Sequence, residues 1–208
     1  KGVYVPAWTF DMKSKTDWDA EAGFHYYVNV PTGDGKTRRE RRTRWEWRRG
    51  TVRRNFDDWM VNASGGVSEE LFEGLLPYNT SELVPYDTRY LAGFTAERYQ
   101  RDLHDAWDVG SAGMVAEIHK AVVNDIPGDT YRNLSTNMET WDETFKHCLV
   151  PVWISAYQYK EKTFHYVVNG VTGKRHGTAP YSWVKITLAV LAVAAVCAGI
   201  YFYAEQNA

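Results

Sequence analysis

Hydrophobic positions fall along this chain in three spacings. Towards each end of the first 180 residues they take the short period of β-strands. In the later of these blocks Val152, Ile154 and Ala156 line one strand face, and Trp153, Tyr157 and Tyr159 line the other. A sheet apolar on both faces needs something packed on each side. The middle of the chain supplies it: Tyr99, Leu103, Ala106, Trp107, Met114, Val115, Ile118 and Val122 recur three and four residues apart. This spacing predicts a helix capped by Thr95 and running to about Asn124, with Gly110 and Gly113 as sites of a kink or break. A shorter helix is expected from capping Ser68 to about Leu75, and Pro127-Gly128-Asp129 reads as an exit turn. The third spacing is a run of 18 consecutive uncharged residues, Ile186 to Tyr203.

That last run predicts a transmembrane helix, since it is hydrophobic all round and long enough to cross a bilayer core of about 30 Å. Trp183 and Lys185 before it and Tyr201 and Tyr203 at its end read as interfacial anchors, with Ile186, Leu188, Leu191, Val196 and Ile200 facing lipid. Lys174, Arg175 and Lys185 precede the run and only Glu205 follows it, so the positive-inside rule places the globular part in the cytoplasm. With Ala204 to Ala208 beyond the helix, the expected arrangement is single-pass and tail-anchored. Ala192, Ala195 and Gly199 form a small-residue stripe suited to packing a second helix.

Within the strand-like blocks the chain resembles itself. Val5-Pro6-Ala7-Trp8 recurs as Val150-Pro151-Val152-Trp153, and His25-Tyr26-Tyr27-Val28-Asn29 as His165-Tyr166-Val167-Val168-Asn169. Each copy is read as a strand reaching a Lys-rich turn (Lys13-Ser14-Lys15, Lys160-Glu161-Lys162), an aromatic return strand, and a third strand after an Asn- and Gly-containing corner. The expected architecture is therefore α+β: two related antiparallel β-meanders flanking a helical insertion, plus one C-terminal transmembrane helix. The boundaries are 1–63 for the first meander, 64–140 for the insertion, 141–180 for the second meander, and 181–208 for the anchor and its short tail.

Composition changes the picture at two points. The 208 residues carry a formal charge of −2, so attraction for a polyanion has to be local. Two cysteines support neither a disulfide framework nor a four-thiolate zinc site and fit a reducing compartment.

Catalytic motifs are incomplete. Gly33-Asp34-Gly35-Lys36-Thr37 resembles the end of a phosphate-binding loop, but Val30 stands where the first glycine belongs and a basic strand follows instead of a helix. Ser111 lacks the glycine that opens a nucleophile elbow, since Val109 holds that position. His104 and Asp108 are one helical turn apart without a third ligand, which reads as a solvated polar face, and His25 and His165 read as structural histidines. No catalytic or metal-ligating residue is assigned.

The strongest local signal is basic. From Lys36 to Arg54 the chain carries ten Lys or Arg against Glu40 and Glu46. Arg38, Arg39, Arg41, Arg42, Arg44, Trp45, Trp47, Arg48 and Arg49 are the candidate contact residues. Trp45 and Trp47 fall on one strand face, and Arg44, Glu46 and Arg48 on the other. Three readings compete: stacking and charge for single-stranded nucleic acid, attraction to anionic lipid headgroups, and pairing with the acids of the helical middle.

Several phrases read together point to a family: Gly2-Val3-Tyr4-Val5-Pro6-Ala7-Trp8-Thr9-Phe10-Asp11, Thr43-Arg44-Trp45, Leu83-Val84-Pro85-Tyr86, Tyr90-Leu91-Ala92-Gly93-Phe94, and Val168-Asn169-Gly170-Val171-Thr172-Gly173. Up to Trp183 the chain resembles bacterial membrane-anchored proteins with an N-terminal zinc ribbon, often described as helicase- or primosome-related. The resemblance implies scaffolding or recruitment beside stomatin/flotillin-like and phage-shock-like membrane proteins. The chain starts at Lys1 and has no paired CxxC, so zinc is carried over to none of its residues and is expected only if a ribbon precedes it. The function expected is a non-enzymatic, tail-anchored membrane scaffold that recruits other membrane-associated proteins or further copies of itself. A membrane-attached protein binding single-stranded nucleic acid through Lys36 to Arg54 is the alternative.

Overall fold

The computed structural model describes residues 1–31, 37–159, 162–177, 187–188, 190–194, 196–198 and 200. Its frame is a hairpin of two very long strands, β1 (Gly2–Pro31) and β2 (Thr37–Asn62), in antiparallel register from Ala7↔Asn62 to Pro31↔Thr37. A connection containing α1 (Glu69–Leu75), β3 (Thr95–Ala96) and α2 (Leu103–Asp125) leads to β4 (Thr130–Tyr159). β4 runs back along the other side of β1, from Gly23↔Thr130 to Gly2↔Trp153. β5 (Lys162–Asn169) and β6 (Arg175–Gly177) complete the sheet in the order β2-β1-β4-β5-β6, and β3 pairs in parallel with Val3 and Tyr4 of β1.

The two expected meanders give way to one continuous sheet. No turn forms at Lys13-Ser14-Lys15, because a period-two pattern runs straight through it. Met12, Ser14, Thr16, Trp18, Ala20 and Ala22 are buried on one face while Lys13, Lys15, Asp17, Asp19 and Glu21 point to the other, with neither Gly nor Pro between Ala7 and Gly23. The repeated tetrapeptides become partners instead of parallel copies: Val5 lies opposite Val150 and Val3 opposite Val152. Bulges break the ladder at Phe10/Met12 towards β2 and at Asp11/Lys13 and Asp19/Glu21 towards β4. Asp58, Asn133 and Asp142 take positive φ of 54°, 51° and 55° there, so each extra residue is absorbed by a left-handed Asp or Asn.

Each face has its own core. On the helix side, Phe10, Met12, Trp18, Ala20 and Ala22 pack under Ala106, Met114, Ile118 and Val122 of α2. On the far side the core is confined to the Gly2 end, where Val3, Val5, Ala7, Val150, Val152 and Val167 meet Phe72 and Leu75 of α1. Each fully buried large side chain contributes roughly 1.5–3 kcal/mol.

α1 begins at Ser68, whose side chain accepts from the Leu71 amide, as its capping position predicts. α2 starts later than expected. Asp102 caps it by accepting from the Asp105 amide, while Thr95 and Ala96 are drawn into the sheet by pairing with β1. Gly110 and Gly113 neither kink nor split it. A Cβ at Gly110 would stand 3.0 Å from Phe10 and 3.2 Å from Val61, so the missing side chain lets the helix settle onto the sheet.

The transmembrane helix is corrected. Among the described residues no helix is long and apolar enough to cross a membrane. Described positions from 187 to 200 are helical and exposed, including Leu188, Leu191, Val196 and Ile200. Trp183, Lys185, Ile186, Tyr201 and Tyr203 lie outside the described residues, as does the 32–36 segment. The single-pass, tail-anchored arrangement and the cytoplasmic placement that rested on it are accordingly withdrawn.

Candidate functional site

Beyond Gly23 the sheet narrows to a two-stranded ribbon, because β4 begins there. Asp129 fastens the junction: its amide donates to the Gly23 carbonyl at 2.9 Å, and its carboxylate accepts from the His25 amide at 2.7 Å. The ribbon pairs residues 24–31 of β1 with 37–44 of β2. Its second strand opens the basic tract: of the candidate contact residues Arg38, Arg39, Arg41, Arg42 and Arg44 lie on it, and Trp45, Trp47, Arg48 and Arg49 follow on the adjoining three-stranded part of β2.

Strand parity divides these arginines into two chemically distinct sets. Even-numbered residues take the helix side, where Glu40 and Glu46 also lie. Arg44 meets Glu46 at 2.8 Å, Arg48 meets the same carboxylate, and Arg42 and Arg38 lie 3.3 and 3.9 Å from Glu40. Arg44 and Arg48 also sit 5.9 Å from the Phe24 ring centre. All four thus meet a carboxylate of their own strand, two arginines sharing each glutamate.

The far side is different. Arg39 stacks 4.0 Å over the Tyr27 ring, while Arg41, Arg49 and Arg53 make no ion pair among the described residues. Asp19 stands opposite Arg49 in register but outside ion-pair distance. Between these cations lie Trp45 and Trp47, the latter 62% exposed. Arg132 of β4 lies 4.2 Å over Trp45 and is held there by Glu21. A Cβ at Gly23 would fall 2.8 Å from the Trp45 indole, so only glycine lets this ring lie flat against the sheet.

Two acids on this face, Asp17 and Glu21, are already engaged. Hydrogen bonds from Lys15 and then Thr51 hold Asp17 below the usual carboxylate range. Glu21 is lowered chiefly by its hydrogen bond from Arg132. What remains on this face are guanidinium groups without an ion pair among the described residues and the exposed Trp47 indole, at alternate strand positions interrupted by Thr43 and Thr51. The expected pairing of the tract with the helical middle does not occur: Arg89 and Arg101 use the acids there, Asp87 and Glu69.

Elsewhere, potentially reactive groups are occupied. Cys148 is buried, its thiol pushed up to about 12 by burial, and donates to the Ala7 carbonyl. His147 is stacked 4.2 Å from Trp8, and burial lowers its pKa. The carboxylates of Asp11, Asp57 and Asp58 come within 4.8 Å of one another at the first bulge. Lys146 already bonds Asp58 at 2.7 Å, and Asp11 accepts from Thr144 and from the Asp58 amide. His25 bonds Thr43 across the ribbon, in keeping with a structural histidine. His104 and Asp108 are exposed on α2.

The local pattern of the tract pointed to Trp45 and Trp47 as one face, but not to Arg132 or Tyr27. Register alone brings these to the same surface.

No family model matches the chain, and no solved structure matches it. It is similar to the uncharacterized protein YdjG of Bacillus subtilis (strain 168), 27% identical over 187 residues, which are 89% of this chain and 53% of that protein. The chain therefore spans about half the length of this curated relative.

Proposed function

We propose that this chain is a non-enzymatic module that binds single-stranded nucleic acid on the far side of the β1–β2 ribbon. The observation that carries the reading is the partition of the arginines, with Arg39, Arg41, Arg49 and Arg53 making no ion pair among the described residues beside exposed Trp47 and half-buried Trp45, and Arg38, Arg42, Arg44 and Arg48 paired on the opposite face. Unpaired cations attract phosphates by releasing their condensed counterions, and flat rings receive bases of any sequence. The test is fluorescence anisotropy of a labelled oligothymidylate at increasing salt. Four phosphate contacts would give a slope of about −3 in log K against log salt, at about −0.7 per contact. Trp47→Ala should weaken binding by about 1–3 kcal/mol. Absence of binding at low salt, or tighter binding to phosphatidylserine vesicles than to the oligonucleotide, contradicts it.

A second reading, assembly with other proteins, is favoured by one feature. Among the described residues β4 has β1 as its only strand partner from Thr130 to Cys148, an edge bearing exposed Met138, Trp141 and Phe145. Such an edge accepts an added strand. Sedimentation equilibrium of the chain tests it: concentration-dependent association lost in Thr140→Pro supports this reading, and a monomer at every concentration contradicts it.

A further inference from the structure

A cavity lies far from the ribbon, between residues 146–151 of β4 and the connection from α1 to α2. It encloses about 800 Å³ and is walled by tyrosines, of which Tyr4, Tyr78, Tyr86, Tyr90 and Tyr99 all reach it. Two of these rings are fixed by their hydroxyl groups: Tyr99 donates to the Cys148 carbonyl at 2.8 Å and Tyr78 to the Pro151 carbonyl at 3.3 Å. With these two hydroxyls committed to backbone, what Tyr78 and Tyr99 offer the cavity is ring surface, electron-rich on the face.

Charge in the same cavity is one-sided. Glu82 and Glu97 line it, and neither pairs with a cation among the described residues. Glu82 accepts only from the Asn79 amide at 2.6 Å, and Glu97 from the Ser64 hydroxyl. The cation of the lining, Lys146, is taken up by Asp58. His147 contributes a neutral ring, since burial disfavours its protonation. The cavity thus joins aromatic walls to two carboxylates that have no counter-ion.

We infer that this cavity is a binding site for an organic cation, an alkylammonium group seated against the tyrosine rings with Glu82 and Glu97 supplying the opposite charge. Aromatic faces attract a cation through the ring quadrupole, and more so once it is desolvated. An alkyl-substituted ammonium also buries apolar surface, which a metal ion or an anion would not. The site is independent of the nucleic-acid reading, for it shares no residue with the ribbon.

Choline and its uncharged isostere 3,3-dimethylbutan-1-ol form the test, each titrated into the isotopically labelled chain and followed by amide shifts around His147 and Tyr99. Saturable binding of choline, at least tenfold tighter than that of the isostere, is expected. Glu82→Gln, on an exposed side chain whose loss leaves the core intact, and Tyr86→Ala should each weaken it severalfold. Equal affinity for the two probes, no saturable shift with choline, or unchanged affinity in both variants overturns the inference.

Discussion

Thr16 shows how much of this protein is set one residue at a time. Its side chain is buried beneath α2, and its hydroxyl has no hydrogen-bond partner, as is also true of Ser14. Desolvating a hydroxyl without replacing its bonds to water is unfavourable, so Thr16→Val should stabilise the fold by roughly 1 kcal/mol in chemical denaturation. Asp58 is the opposite case. Burial raises its pKa, but the hydrogen bond and positive charge of Lys146 outweigh that and hold the carboxyl below its ordinary value. A carboxyl depressed in the folded state stabilises at pH above its unfolded pKa, and that contribution disappears as pH falls through the folded one. Stability should therefore decline between about pH 5 and pH 2, and Lys146→Met should flatten this decline when unfolding is followed across that range. At this scale the sequence was only partly legible. Alternation placed Trp45 and Trp47 together, whereas the stack of Arg132 on Trp45 joins positions 87 residues apart and has no local signature.

Elements were readable wherever local chemistry and tertiary context agree. Ser68 before an apolar run started α1 as expected. The Lys13-Ser14-Lys15 stretch misled because a lysine cluster was weighed above the alternation running through it, and only glycine, proline or a break in parity interrupts a strand. Thr95 misled for another reason: it is a competent cap, yet its backbone bonds go to β1. The uncharged run after Lys185 was read from its length, its all-round hydrophobicity and its aromatic flanks, whereas among the described residues no helix is long and apolar enough to cross a membrane. The glycines of α2 were read as weak points when they are contact points. Gly110→Leu should accordingly destabilise by about 1–3 kcal/mol despite the better helix propensity of leucine, because the new side chain has only Phe10 and Val61 to displace. Thermal unfolding of that variant is the check, and a higher midpoint would mean that propensity outweighs packing.

Across the whole molecule, charge is segregated more sharply than the total of −2 reveals. β2 alone carries nine arginines against four carboxylates. Parity then sets Arg38, Arg42, Arg44 and Arg48, which meet glutamate, apart from Arg39, Arg41, Arg49 and Arg53, which make no ion pair among the described residues. Oligonucleotide affinity in two triple variants of the same net charge tests this most directly: Arg41→Gln, Arg49→Gln and Arg53→Gln on the far side, against Arg42→Gln, Arg44→Gln and Arg48→Gln on the helix side. The first should bind at least tenfold more weakly than the second, with a salt slope nearer zero by about 2. Equal losses in both would mean that net charge alone attracts the ligand and that the far face of the ribbon is not the site.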